Sequence, residues 1–301
     1  MEEKAYVSKI THGSLEDGKG IRTVVFFGGC DLNCRWCHNP ECIPHKPVLM
    51  YFKNKCIGCG RCIEVCPKVF EKEGNNITVE RNFCNTCGKC VNSCLGEALE
   101  MSVKKMNVEE VFREIYADIS YYKYSEGGVT FSGGECLRQH SFLTALLKKC
   151  REANINTCVE SCLDVSWEVL EGVAEYVDSF FVDIKHMDPI KHKKYTGVSN
   201  ERILENIRRL SEKHSDIIFR IPLIPGVNDD NENLTETVKF VASLNNSLVK
   251  RIQLLKYNNF AKSKYESIDR RFVDFGTPQS PELMAERVDF MNKICAEVNV
   301  F

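Results

Sequence analysis

No apolar run in this 301-residue chain approaches the roughly 18 residues that a bilayer-spanning helix needs. The first ten residues, MEEKAYVSKI, open on acidic side chains and lack the apolar stretch of an export signal. Charge of one sign is scarce as well. Forty basic and 42 acidic side chains leave a formal net charge of −2, too even for binding nucleic acid through bulk charge. Low-complexity tracts are missing, and so are repeats of a barrel unit. A globular cytoplasmic protein is expected, with neither a membrane nor nucleic acid as partner. The hydrophobic share of 43% is enough for a sizeable core.

What the chain has in excess is cysteine, seventeen in all, concentrated between Cys30 and Cys94. Disulfide scaffolds of that density are short and exported. In a long chain with no export signal, the pattern points to metal.

Six segments read as strands: Arg22–Phe27, Val129–Phe131, Asn156–Glu160, Phe180–Ile184, Ile217–Ile221 and Arg251–Leu255. Helical stripes alternate with them. Asn107 with Glu110 can box the start of a helix bearing Val108, Phe112, Ile115 and Ile119. Phe142, Leu143, Leu146 and Leu147 mark the next helix, and Ser166 can cap one bearing Val169, Leu170, Val173 and Ala174. Ile203, Ile207 and Leu210 form a further stripe, Leu234, Val238, Val241 and Leu244 another, and Ser280-Pro281 opens the last helix. Strand followed by helix, six times over, implies parallel βα units with right-handed crossovers. The expected fold is α/β, an open partial (β/α)6 TIM-like barrel. Residues 47–103 interrupt the pattern and are expected to form an inserted ferredoxin-like double 4Fe-4S module. The barrel would then be 1–46 with 104–301. In such sheets ligands bind at the carboxyl ends of the strands. Cys30, Gly133, Glu160, Asp183, Arg220 and Asn258 fall there.

Cys30, Cys34 and Cys37 are spaced C-x3-C-x2-C on a loop after the first strand. Three thiolates can take three corners of one cubane and leave the fourth iron open, as catalytic metal sites require. A closed zinc site completed by His38 or Cys42 is the plainer alternative, but such sites usually come as two paired knuckles. In the insert, Cys56, Cys59, Cys62 and Cys66-Pro67 form a bacterial ferredoxin run. Cys84, Cys87, Cys90 and Cys94 repeat it, with Leu95 in place of the proline. The fourth cysteine of each run should ligate the other cluster. That assigns Cys56, Cys59, Cys62 and Cys94 to one cluster and Cys84, Cys87, Cys90 and Cys66 to the second. The remaining cysteines, 42, 136, 150, 158, 162 and 295, are expected to be small buried apolar residues.

The cysteine loop, with Trp36 just before its last cysteine, resembles the signature of the radical S-adenosylmethionine superfamily. Ser132-Gly-Gly-Glu135 resembles its glycine-rich strand end and Asp183-Ile-Lys185 its Asp-x-Lys. The order narrows the likeness. Ser14-Leu-Glu-Asp-Gly-Lys-Gly-Ile-Arg-Thr, the cysteine loop, the insert, Gly-Gly-Val-Thr-Phe-Ser-Gly-Gly-Glu, Asp-Ile-Lys-His-Met and Ile-Pro-Gly-Val-Asn-Asp together resemble the glycyl-radical enzyme activating enzymes over nearly the whole chain. The match is to their longer branch, which carries the insert. Two places depart from it: Asn258 stands where the family often has histidine, and Cys136 where proline often follows the Gly-Gly-Glu.

The resemblance implies an oxidoreductase that uses S-adenosylmethionine. The cofactor would chelate the open iron, with Trp36, Cys37, His38, Gly133, Gly134, Glu135, Glu160, Asp183, Lys185, Arg220 and Asn258 around it, and a monovalent cation near its carboxylate. One electron cleaves it to methionine and a 5′-deoxyadenosyl radical. That radical takes the pro-S hydrogen of one glycine in a partner glycyl-radical enzyme of dehydratase, decarboxylase or C–N lyase type. Hydroxyproline dehydratase, diol dehydratase, choline lyase and arylacetate decarboxylase all fit. Flavodoxin or ferredoxin would supply the electron, and the two auxiliary clusters would relay it or else shape a docking surface. Peptide- or sulfatase-modifying radical enzymes share the core but usually carry auxiliary clusters after the barrel, whereas here only Cys295 lies beyond Cys162. Purified without oxygen, the protein should hold about twelve irons per chain, counted as three four-iron sites. Iron and sulfide analysis checks this, and a ceiling of about four irons with zinc making up the rest would refute the ferredoxin assignment.

Overall fold

The structure is a computed structural model that describes residues 3–74, 76–214, 216–245 and 250–301. It begins with an antiparallel pair, β1 (Lys4–Ser14) and β2 (Arg22–Phe27). The insert follows with β3 (Leu49–Tyr51), α1 (Arg61–Val65), β4 (Phe70–Glu73), β5 (Asn76–Val79), α2 (Lys89–Ser93) and β6 (Leu99–Met101). β7 (Lys104–Asn107) returns the chain to β1 and leads into α3 (Val108–Ala117) and α4 (Ile119–Ser125). Then come β8 (Gly128–Gly133), α5 (His140–Glu152), β9 (Asn156–Ser161), α6 (Trp167–Ala174) and β10 (Ser179–Asp183). α7 (Pro189–Thr196) and α8 (Glu201–Lys213) precede β11 (Ile217–Leu223), and α9 (Asn231–Ser243) precedes β12 (Lys250–Lys256). The chain ends with α10 (Lys262–Ser267), α11 (Pro281–Asn292) and β13 (Val298–Val300).

All six expected strands are present, and β2, β8, β9, β10, β11 and β12 lie side by side in sequence order, every pair parallel. Sequential order with helical crossovers is the partial barrel that the alternation implies. Three strands extend it beyond the expectation. β1 and β7 add antiparallel to the β2 side and β13 parallel to the β12 side, making a nine-stranded sheet. Their sequences hide them. β1 buries only Ala5 and Val7 fully among lysines and polar side chains, β7 reads Lys-Lys-Met-Asn, and β13 has three residues. Lysines on an outermost strand keep its free edge from pairing with another chain.

The expected helix stripes lie inward. Phe142, Leu143, Leu146, Leu147, Leu170, Ile203, Ile207, Leu210, Leu234 and Val238 are all buried in the main core against the sheet. Asn107 and Glu110 make the reciprocal capping box. The helix it starts breaks at Asp118, so Ile119 belongs to α4. Ser280 caps α11 through Leu283 N–H. Ser166 holds the N-cap position of α6 in extended backbone, but its hydroxyl accepts no cap bond.

The insert has its own small core of Leu49, Tyr51, Val69, Phe70, Ile77, Cys90, Ala98 and Leu99. Its halves echo each other. Each helix starts after a left-handed glycine, Gly60 before α1 and Gly88 before α2. Arg81 fastens it to the barrel, donating to Leu49 O at 2.9 Å and Ser267 O at 2.6 Å and pairing with Asp269.

A second arginine fixes the barrel itself. Arg22 is 1% exposed. It donates to Thr130 Oγ1 at 2.7 Å, Val129 O at 2.6 Å and Asn156 Oδ1 at 3.0 Å, joining β2, β8 and β9. The turn before it packs too tightly for a side chain. A Cβ on Gly20, which has φ +69°, would lie 2.3 Å from Ser125 O. Arg22→Met should lower stability by about 3 kcal/mol, because it strands buried acceptors. A fall in the urea midpoint measures it, and an unchanged midpoint would refute the role.

Candidate active site

The loop after β2 has neither strand nor helix, so its shape comes from bonds to its neighbours. Gly29 N–H donates to Cys42 O at 2.7 Å and Cys30 N–H to Ile43 O at 3.1 Å. On the far side Asn33 N–H donates to Thr196 O at 2.7 Å and Arg35 N–H to Tyr195 O at 3.1 Å, both at the end of α7. Cys37 N–H closes a turn on Cys34 O. Lys264 of α10 fixes the loop's end, donating to His38 O, Asn39 Oδ1 and the buried carboxylate of Glu41.

So held, Cys30, Cys34 and Cys37 line a cavity of about 300 Å³ at the carboxyl ends of the parallel strands. Trp36, His38, Gly133, Gly134, Glu160, Asp183 and Lys185 line the same space. Glu135, Arg220 and Asn258 are absent from that lining. Glu135 is 2% exposed, and its carboxylate accepts from Ser161 Oγ at 2.9 Å, Cys162 N at 3.1 Å and Leu137 N at 3.1 Å. It ties the tops of β8 and β9 together. Arg220 sits behind Glu160. It donates to Glu160 Oε1 at 2.7 Å, Gln253 Oε1 at 2.9 Å and Glu16 O at 2.7 Å, with its guanidinium 3.5 Å above the Phe181 ring. Asn258 spends its side chain on Phe260 N–H at 3.2 Å.

The glycine pair has a packing reason independent of any ligand. Gly133 has φ +118°, and a Cβ there would lie 2.2 Å from Phe27 N. One on Gly134 would lie 2.5 Å from Gly29 O. The strand end thus abuts the backbone that launches the cysteine loop.

The electrostatics favour an anionic wall with one fixed cation. Burial pushes the Glu160 carboxyl up, but the Arg220 charge and the Ser132 hydroxyl at 2.6 Å outweigh it and hold it below its ordinary value. Burial works against the Lys185 ammonium, yet the Asp183 carboxylate at 3.0 Å keeps it protonated. Burial raises the thiols, Cys34 to about 12. They stay protonated until a metal takes them, and ligation releases the protons.

The donor set fits an iron–sulfur cluster with an open iron. Cys162 also lines the cavity, but its thiol is given to Glu135 at 3.1 Å. That leaves three thiols for metal. Among the described residues no three His, Cys, Asp or Glu side chains are gathered tightly enough for a single metal ion. A cubane instead takes its thiolates at separated corners. Trp36 contributes to the cavity wall, and its Nε1 is buried without a partner. In the insert, Cys56, Cys59, Cys62 and Cys94 line one small cavity, while Cys66 and Cys84 face Cys90. All seventeen cysteines are free of disulfides.

Cys162, Ser161 and Asp17 line the cavity without having been singled out as site residues in the sequence. Asp17 belongs to the Asp-Gly-Lys-Gly-Ile-Arg motif and Cys162 follows Glu160 by two residues, so the motif and the strand end were the available signals. Cys42, 1% exposed, lies outside the cavity lining.

Comparison with known proteins agrees with this geometry. The model of the Radical SAM superfamily matches residues 82–240, and that of the 4Fe-4S dicluster domain matches residues 49–95. The (2S)-3-sulfopropanediol dehydratase activating enzyme of Klebsiella oxytoca is 41% identical over 87% of this chain and 84% of its own length. The trans-4-hydroxy-L-proline dehydratase activating enzyme of Clostridioides difficile is 39% identical over 86% of each chain. The choline trimethylamine-lyase activating enzyme of Oleidesulfovibrio alaskensis is 35% identical over 96% and 95%. Among solved structures, a radical SAM methyltransferase from Sphaerobacter thermophilus shares the fold, with a TM-score of 0.56 at 13% identity over 98% of this chain and 76% of that one. No described helix is long and apolar enough to cross a membrane. By these relatives and this site, the chain belongs to the radical SAM superfamily and, within it, to the activating enzymes of glycyl-radical enzymes.

Proposed function

We propose that Cys30, Cys34 and Cys37 hold a four-iron cluster and that the cavity above them binds S-adenosylmethionine for abstraction of a glycine hydrogen from a partner glycyl-radical enzyme. The observation that carries this is the convergence of the three thiols with Gly133, Gly134, Glu160, Asp183 and Lys185 on one cavity. With a cluster on the thiols, bound S-adenosylmethionine supplies a 5′-deoxyadenosyl radical on one-electron reduction.

The chain's own residues bind, orient and exclude. The exposed backbone of Gly133 and Gly134 and the side chain of Glu160 suit the methionine amino group. Lys185 supplies a fixed positive charge, and Trp36 lends an apolar face. Arg220, Glu135 and Asn258 support the site from behind: Arg220 and Ser132 orient Glu160, Glu135 fixes the strand ends, and Asn258 shapes the loop beside Tyr257. Asp183 and Glu160 offer oxygens to a monovalent cation near the cofactor carboxylate. None of these groups has to move a proton, so position is the catalytic element.

Residues 47–103 are read as the module for two further clusters, one on Cys56, Cys59, Cys62 and Cys94, the other on Cys66, Cys84, Cys87 and Cys90. The cysteines lining the small insert cavity support the first set. The partner is a dehydratase, decarboxylase or C–N lyase of the glycyl-radical type. The electron comes from a flavodoxin or ferredoxin, and the setting is the cytoplasm.

Cys34→Ala should abolish 5′-deoxyadenosine formation while about two-thirds of the iron remains, as the three-site count requires. Product analysis beside iron analysis tests it, and cofactor cleavage by the variant would overturn the assignment. Gly133→Ala should keep its iron yet weaken cofactor binding by at least about tenfold, because a Cβ forces the strand end away from the cysteine loop. Titration of the reduced protein with cofactor, followed by electron paramagnetic resonance, reads this out.

A further inference from the structure

The cysteine loop has an outer side. Behind it lies a groove of about 580 Å³, and Cys34 is the residue this groove shares with the catalytic cavity. Its charged lining is all of one sign: Arg35, Lys194, Arg270 and Arg271, with no Asp or Glu among the described residues of the lining. The chain as a whole carries −2, so this is a local concentration. Three of the cations are held in place. Arg35 and Lys194 lie over the Tyr195 ring at 5.6 and 5.0 Å, and Arg270 bonds Asn33 beside Cys34. Like charges gathered without neutralising acids cost energy and gain it back only against an acidic surface.

From this we infer that the groove docks an acidic one-electron carrier protein, which reduces the catalytic cluster directly across Cys34 without passing through the insert. The inference rests on the cluster assignment proposed above. One electron leaves the carrier, which is oxidised by one unit, and the oxidised four-iron cluster held by Cys30, Cys34 and Cys37 takes it up. No bond forms or breaks and no proton moves in that step. The cationic rim supplies steering, which raises encounter rates by about 10- to 1,000-fold and fades with salt.

The test reverses charge in the iron-loaded full-length chain with Lys194→Glu and Arg271→Glu together. The probe is a bacterial flavodoxin in its hydroquinone state, with dithionite as the small reductant. At low salt the double variant should bind flavodoxin at least about tenfold more weakly by titration calorimetry, and form 5′-deoxyadenosine with it at least about tenfold more slowly, both with a flattened salt dependence. With dithionite it should match the unaltered chain. Cys59→Ala should leave the ratio of the flavodoxin-driven rate to the dithionite-driven rate unchanged. Three results would overturn the proposal: an unchanged flavodoxin rate in the double variant, a charge reversal that weakens only the binding of the glycyl-radical partner, or a Cys59→Ala chain that loses the flavodoxin-driven rate while keeping the dithionite-driven one. An unaltered chain inert with dithionite as well would remove the cluster assignment itself, and this proposal with it.

Discussion

A loop without secondary structure has to hold three thiols apart and facing one way, and the rest of the site depends on how that is done. Backbone bonds grip it from both sides, Ile43 and Cys42 on one and Tyr195 and Thr196 on the other. Neither grip is local. One comes from the chain just before the insert, the other from the helix after β10. The sheet order that places α7 beside β2's loop is therefore as much a part of the metal site as the cysteines. Gly133 and Gly134 serve the same end by letting β8 finish flush against the loop's root.

Behind the cavity wall, charge is handled by pairing in depth. Glu160 faces the cavity, but Arg220 and Ser132 set its state, and Arg220 is braced by Gln253, Glu16 and the face of Phe181. A buried guanidinium with three hydrogen bonds and an aromatic beneath it is a stiff object. It holds the Glu160 carboxyl below its ordinary value against the pull of burial. Lys185 is the counterpart, its charge preserved against burial by Asp183.

The six parallel strands were legible because each is a short apolar run next to a helix with a clear stripe, as with Phe180–Val182 and Ile203, Ile207 and Leu210. The cysteine spacing was legible because metal chemistry fixes it. β1 was not, since a strand with Lys4, Lys9 and His12 along it is paired by its neighbours rather than by its own pattern. The site residues divided in the same way. Cys30, Cys34, Cys37, Gly133, Gly134, Asp183 and Lys185, each carried by a short motif, line the cavity. Glu135 looked like a ligand residue because it ends a glycine motif, but its carboxylate is turned inward by Ser161 and Cys162, partners 26 and 27 residues away that no local pattern displays. Lys264, which fastens the cysteine loop's end, carries no motif at all.

That fastener has a consequence for how the protein comes into being. Lys264 reaches His38 and Asn39 across 226 and 225 positions, and Arg270 reaches Asn33 across 237. On a ribosome the cysteines emerge early, while the residues that clamp their loop are among the last to be made. The geometry of the loop's end is completed only near release. A chain cut short before residue 264 would keep the grips of Cys42, Ile43, Tyr195 and Thr196 but leave the end of its cysteine loop unfastened.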